Sequence, residues 1–227
     1  MTTDRILRTR FLYLAFLASA LSPALTDAAL ADLRTAPPDP ARDAAAARAQ
    51  LLVEKCAKLA CRTQSRELHL QTADGVAVMK TELVPYADAG AVVLYPGEAI
   101  EVDFASDGKG LGEPHFERTV DGIEEPKKAP DGKFIPSAPR SDSRSNFWLE
   151  FEDNGKGMLL KLKSDLGVRV KYHAVVLVPE RDGLRPADTS SCPVIPYGSA
   201  YESWPQAIAM IVLTDFHIVA ENDTACD

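Results

Sequence analysis

The chain reads as a mainly β protein: an antiparallel β-sandwich, jelly-roll or immunoglobulin-like, with one α-helix ahead of it. Three observations carry this expectation. Eight short β-prone runs succeed one another with turn residues between them, helical periodicity appears once and before them, and no helix alternates with the strands as a parallel sheet would require. The 227 residues carry a net charge of −8. An acidic balance of that size argues against nucleic acid and against anionic lipid headgroups as partners, since both are bound through excess Lys and Arg.

The N-terminal residues set the compartment. Arg5, Arg8 and Arg10 precede an apolar stretch over residues 11–25, and Ala29-Leu30-Ala31 supplies a small-residue cleavage site before Asp32. That order is a cleavable signal peptide over residues 1–31. The apolar stretch is shorter than the roughly 20 residues of a spanning helix. The expected mature protein is therefore periplasmic or secreted, with no stable membrane insertion.

A Pro-rich leader over residues 32–42 follows, and residues 43–227 are long enough for a single domain with its own core. An Ala-rich run predicts a helix over residues 43–62. Leu51, Leu52, Cys56, Leu59 and Ala60 recur at steps of three and four, which predicts one buried face.

Cys56, Cys61, Cys192 and Cys226 all lie beyond the leader, an even number in a compartment where disulfides persist. Of the three possible pairings, the local one is favoured, Cys56 with Cys61 and Cys192 with Cys226. The first bridge would fix a helix end. The second closes a longer ring, which on the loop-entropy account stabilises by about 3 to 4 kcal/mol.

The strands are expected at residues 67–72, 76–83, 91–95, 99–104, 147–152, 158–163, 168–178 and 208–219. In the third quarter of the chain the alternation is clear: Phe147, Leu149 and Phe151 share one face, and Trp148, Glu150 and Glu152 the other. The turn at Asp153-Asn154-Gly155 puts Glu150 opposite Lys161. Asp165-Leu166-Gly167 fits a three-residue hairpin loop with Gly167 at positive φ. That register would set Lys163 beside Arg169 and Lys161 beside Lys171. The run 208–213 reads as a central core strand.

Two irregular stretches remain. A lobe over residues 106–145 has only scattered apolar residues, a length that compact domains rarely keep without a use. The segment 184–206 holds Cys192, Pro193, Pro196 and Pro205 together with Tyr197, Tyr201 and Trp204, which suggests a stiff aromatic loop. Candidate ligand contacts are Trp148, Lys161 and Lys163 on one strand face and Tyr197, Tyr201 and Trp204 on the loop.

No nucleophile elbow, phosphate loop or dinucleotide fingerprint occurs, and His69, His115, His173 and His217 show no metal-ligand spacing. No cofactor or metal is expected. The function that follows is a non-catalytic envelope protein binding a protein partner or small ligand through its loops. Two alternatives accompany it: an exported hydrolase of polysaccharide or peptide using paired carboxylates, and a structural or assembly subunit that exchanges a strand.

Overall fold

The computed structural model describes residues 40–73, 75–104, 110–123, 130 and 146–226. The signal over residues 1–31, most of the leader and most of the 106–145 lobe lie outside these residues. Two compact units are distinguished: Met1–Ala47, described only from residue 40, and Arg48–Asp227, which holds all twelve described strands.

Helix α1 runs Pro40–Cys56. Proline suits a first helical position because its missing N–H has no partner there. The helix ends at Cys56, bridged to Cys61, six residues before the expected end at residue 62. The expected buried face does not form. Leu51 and Val53 are 55% and 70% exposed, Ala60 is exposed, and Leu52, Cys56 and Leu59 are only partly buried. Alanine-rich sequence makes helix by intrinsic propensity and needs no apolar stripe to do so.

The strands are β1 (Glu67–Thr72), β2 (Gly75–Lys80), β3 (Ala87–Asp88), β4 (Ala91–Leu94), β5 (Glu98–Phe104), β6 (Pro114–Thr119), β7 (Asn146–Asp153), β8 (Met158–Ser164), β9 (Arg169–Glu180), β10 (Gly183–Thr189), β11 (Ser199–Trp204) and β12 (Met210–Val219). Two five-stranded antiparallel sheets, ordered β10-β9-β12-β4-β3 and β11-β8-β7-β5-β6, form a sandwich. A third, two-stranded sheet is the β1-β2 ribbon.

The alternation of apolar residues explains the core. Val92 and Leu94 of β4, Val170, Tyr172 and Val176 of β9, and Ile211 and Leu213 of β12 come from one sheet. Ile100, Val102, Phe147, Leu149, Phe151, Leu160 and Leu162 come from the other, and all belong to one buried cluster. Each such side chain contributes about 1.5–3 kcal/mol by leaving water. The run 208–213 is central as expected: β12 pairs with β9 on one side and β4 on the other.

The ribbon has a smaller core of its own. Leu68 and Leu70 pack with Tyr95 and Ala209, and Ala77, Met79 and Met210 lean on them.

Two register expectations part company. Glu150 does face Lys161, in the β7–β8 ladder. The β8–β9 hairpin does not exist, because β8 pairs with β7 and β11 while β9 pairs with β10 and β12. The chain crosses between sheets there, so Lys163 and Lys161 never meet Arg169 and Lys171. Leu166 marks the crossing, buried at 6% where a hairpin tip would be exposed. Gly167 is not at positive φ. A Cβ there would stand 2.8 Å from the Tyr197 hydroxyl, so close approach is what calls for glycine.

Both expected disulfides form, Cys56–Cys61 and Cys192–Cys226, and no described cysteine is free. Such bonds belong to an oxidising, non-cytoplasmic compartment. No described helix is long and apolar enough to cross a membrane.

Candidate functional site

The expected ligand residues divide between two faces. Trp148, Lys161, Lys163 and Tyr201 share the outward side of the β11-β8-β7 layer, through the pairs Trp148↔Lys163 and Tyr201↔Lys161. The arrangement there is largely self-contained. Lys161 Nζ lies 2.9 Å from Glu152 and 3.5 Å from Glu150, Lys163 Nζ sits 5.2 Å from the Trp148 ring centroid, and the Trp148 ring is buried.

Trp204 points the other way from Tyr201, into the sandwich. It meets Phe151 edge-on and donates its indole N–H to Thr189 Oγ1 at 2.7 Å. Tyr197 stands alone before β11, half exposed and at positive φ. The stretch 184–206 is thus no irregular loop: it contains the edge strands β10 and β11.

Within that stretch one carboxyl is unusual. Glu202, inward-facing on β11, accepts the Cys192 backbone N–H at 2.8 Å. Burial pushes its carboxyl above the ordinary glutamate value, with the Cys192 and Tyr172 contacts pulling the other way. Tyr172 faces it from β9. Burial first, and the Glu202 charge second, drive the Tyr172 phenol strongly upward. Among the described residues its hydroxyl completes no hydrogen bond of regular geometry, so its relation to Glu202 is a close electrostatic contact.

A second cluster gave no sequence signal. Arg62 is 4% exposed and places all five N–H groups. Nε and Nη2 grip Glu98 at 2.7 and 2.6 Å, Nη2 also reaches Val93 O, and Nη1 serves Val84 O and Pro85 O. Its plane lies over Tyr86 and Tyr95. Every donor being used inside the protein, Arg62 is a structural clamp between the chain after β2 and strands β4 and β5.

Compared with known proteins, this chain matches no family model, no curated protein and no solved structure. Its chemistry rests on its own geometry. Among the described residues no group of three His, Cys, Asp or Glu could hold a metal ion.

A concave feature of the described residues lies elsewhere, beside the ribbon. A groove of about 1330 Å³ opens between the start of β2, the β9–β10 turn at residues 178–182, and residues 205–207 ahead of β12. Its lining mixes apolar Val76, Ala77, Val78, Val178, Pro179 and Ala207 with polar Gln71, Glu180, Arg181, Asp182 and Gln206. Val76 and Val78 are 53% and 57% exposed. Of the stretches singled out from sequence, only Pro205 and Gln206 touch it. Val76 and Val78 looked like ordinary strand residues, and only the placing of the ribbon against Ala209 and Met210 turns them into a wall.

Proposed function

We propose that this chain is an exported, non-catalytic protein, periplasmic or secreted, that binds a partner molecule in the groove beside β2. The groove with its two exposed valines carries the reading, because a concavity that sets exposed apolar side chains beside polar groups offers both contact area and orientation to a partner. The signal-like N-terminus, the two disulfides and the acidic balance support the compartment and disfavour nucleic acid. The outward layer with Trp148, Lys161 and Lys163 is a less favoured alternative site, since its cations already have acidic or aromatic neighbours.

A hydrolase would draw on Glu202, the described carboxyl raised by burial, but it would need a second carboxyl about 5 to 10 Å away across a cleft. The groove reading needs no such partner.

A photo-reactive side chain placed by Gln206→p-benzoylphenylalanine, with Lys156→p-benzoylphenylalanine in the exposed β7–β8 turn as control, tests the reading in cells that export the protein. Adducts from position 206 and none from 156 are expected. Equal labelling at both positions, or none at either, overturns it.

A further inference from the structure

Resting on the groove as a binding site, we infer that its occupant is an extended segment of another polypeptide that joins β2 as an added strand. The ribbon's register decides which backbone groups are available. The Thr81 N–H donates to Arg66 O at 2.8 Å, and the pairs continue from Glu67↔Lys80 to Thr72↔Gly75. Hydrogen-bonded and non-bonded pairs alternate in an antiparallel ladder. Met79 and Ala77 therefore bond to β1, while Val76, Val78 and Lys80 turn their N–H and C=O groups outward. Among the described residues no backbone bond reaches those groups.

Three other edges are blunted. Strand β10 carries Pro186, β3 is two residues long, and β6 begins at Pro114 and pairs across a bulge. Strand β2 has no proline and no bulge.

The groove takes in part of this open edge together with the tip of the ribbon, where Gln71 and Thr72 of β1 also line it. Successive residues of β2, Val76, Ala77 and Val78, line it although their side chains alternate between faces, which brings the strand's backbone edge to the groove. The far wall offers no competing ladder. Glu180↔Gly183 closes the β9–β10 turn and Leu177 O takes the Ala209 N–H, so the next residue facing away from β10 is Pro179, which has no N–H.

The rim describes the occupant. Glu180 already pairs with Arg185, and Arg181 and Asp182 stand side by side in the turn, so the rim has no net charge to attract an acidic or basic segment. Val76 and Val78 favour β-branched or aromatic neighbours on the added strand. A second copy of this chain is a poor fit, because its own β2 would lie recessed in its own groove. A single free strand enters; two walled edges do not meet.

The test combines the position-206 cross-link with Val78→Pro, which removes one outward N–H and no bond to β1, and with Val78→Ala, which keeps the backbone. Loss of one or two backbone hydrogen bonds lowers adduct yield about tenfold in V78P, with V78A retaining most of it. Hydrogen exchange on the unaltered protein gives an independent reading should V78P fold poorly. A synthetic peptide copying the cross-linked segment should slow the amides of Val76, Val78 and Lys80 and leave Ala77 and Met79 as they were. Adducts unaffected by V78P, together with unchanged exchange, overturn strand addition while leaving the groove as a site. Adducts to this same chain or to a second copy overturn the choice of partner. No adduct at all sinks the groove reading itself.

Discussion

The sandwich and the β1-β2 ribbon are both antiparallel, yet they are held in unlike ways. The sandwich fills the space between two sheets with side chains from ten strands. The ribbon rests one face on Tyr95 and Ala209 and leaves Val76 and Val78 in water. A region secured on one face keeps a free backbone edge, and a free edge is what a binding surface needs. The difference teaches that the part of the protein with an open backbone edge is also a part with little core, the low-stability end of a domain from which binding elements are commonly drawn.

Removing core from the sandwich gives the largest expected effect. Phe151→Ala should cost about 3–5 kcal/mol, read as one cooperative denaturant transition by far-ultraviolet dichroism and Trp fluorescence together. A variant that loses only ribbon structure would break the contrast. Arg62→Ala comes next, about 3 kcal/mol or somewhat more, because Glu98 keeps a buried charge whose main partner has gone. Arg62 holds Val84 and Pro85 to Val93 and Glu98, so this loss should loosen the ribbon's attachment before the sandwich, seen as earlier exchange of β1-β2 amides.

Leu70→Ala sharpens the comparison most directly. About 2 kcal/mol is expected, confined to faster exchange of β1 and β2 amides while β7, β8 and β12 keep theirs. Equal acceleration everywhere would mean that the ribbon is part of the global cooperative unit.

Glu202→Gln is the smallest. Burial raises the folded carboxyl above its ordinary value of 4.5, so the folded state binds the proton more tightly than the unfolded chain. Stability from this group is complete below that ordinary value and falls away as pH rises through the folded one. A neutral glutamine can still accept the Cys192 N–H. E202Q should therefore melt slightly higher than the parent at neutral pH, by less than about 1 kcal/mol since Glu202 is only partly buried, and the two melting curves should converge in acid.

In the sandwich the interior strands are legible in the sequence and the edges are not. Residues 67–72, 76–83, 91–95, 99–104, 147–152, 158–163, 168–178 and 208–219 announce β1, β2, β4, β5, β7, β8, β9 and β12, because such strands alternate or saturate with apolar residues. The four strands left unread, β3, β6, β10 and β11, are the four outer strands of the two sandwich sheets. An edge such as Gly183–Thr189, polar and interrupted by Pro186, carries no hydrophobic period to find. The β8–β9 crossing was misread because three residues serve a hairpin or a passage between layers equally well; buried Leu166 distinguishes them only after folding. Of the site, the Glu150–Lys161 pairing was visible as local register. The groove and the Arg62 clamp were not, since both join segments distant in sequence.

One bond near the surface has a mechanical meaning of its own. The link between Cys192 and Cys226, 34 positions apart, encloses β11 from one layer and β12 from the other. It ties one strand of each leaf into a single covalent ring, so once a tug or denaturant parts the layers those two strands stay tethered and the unfolded chain has fewer arrangements to explore.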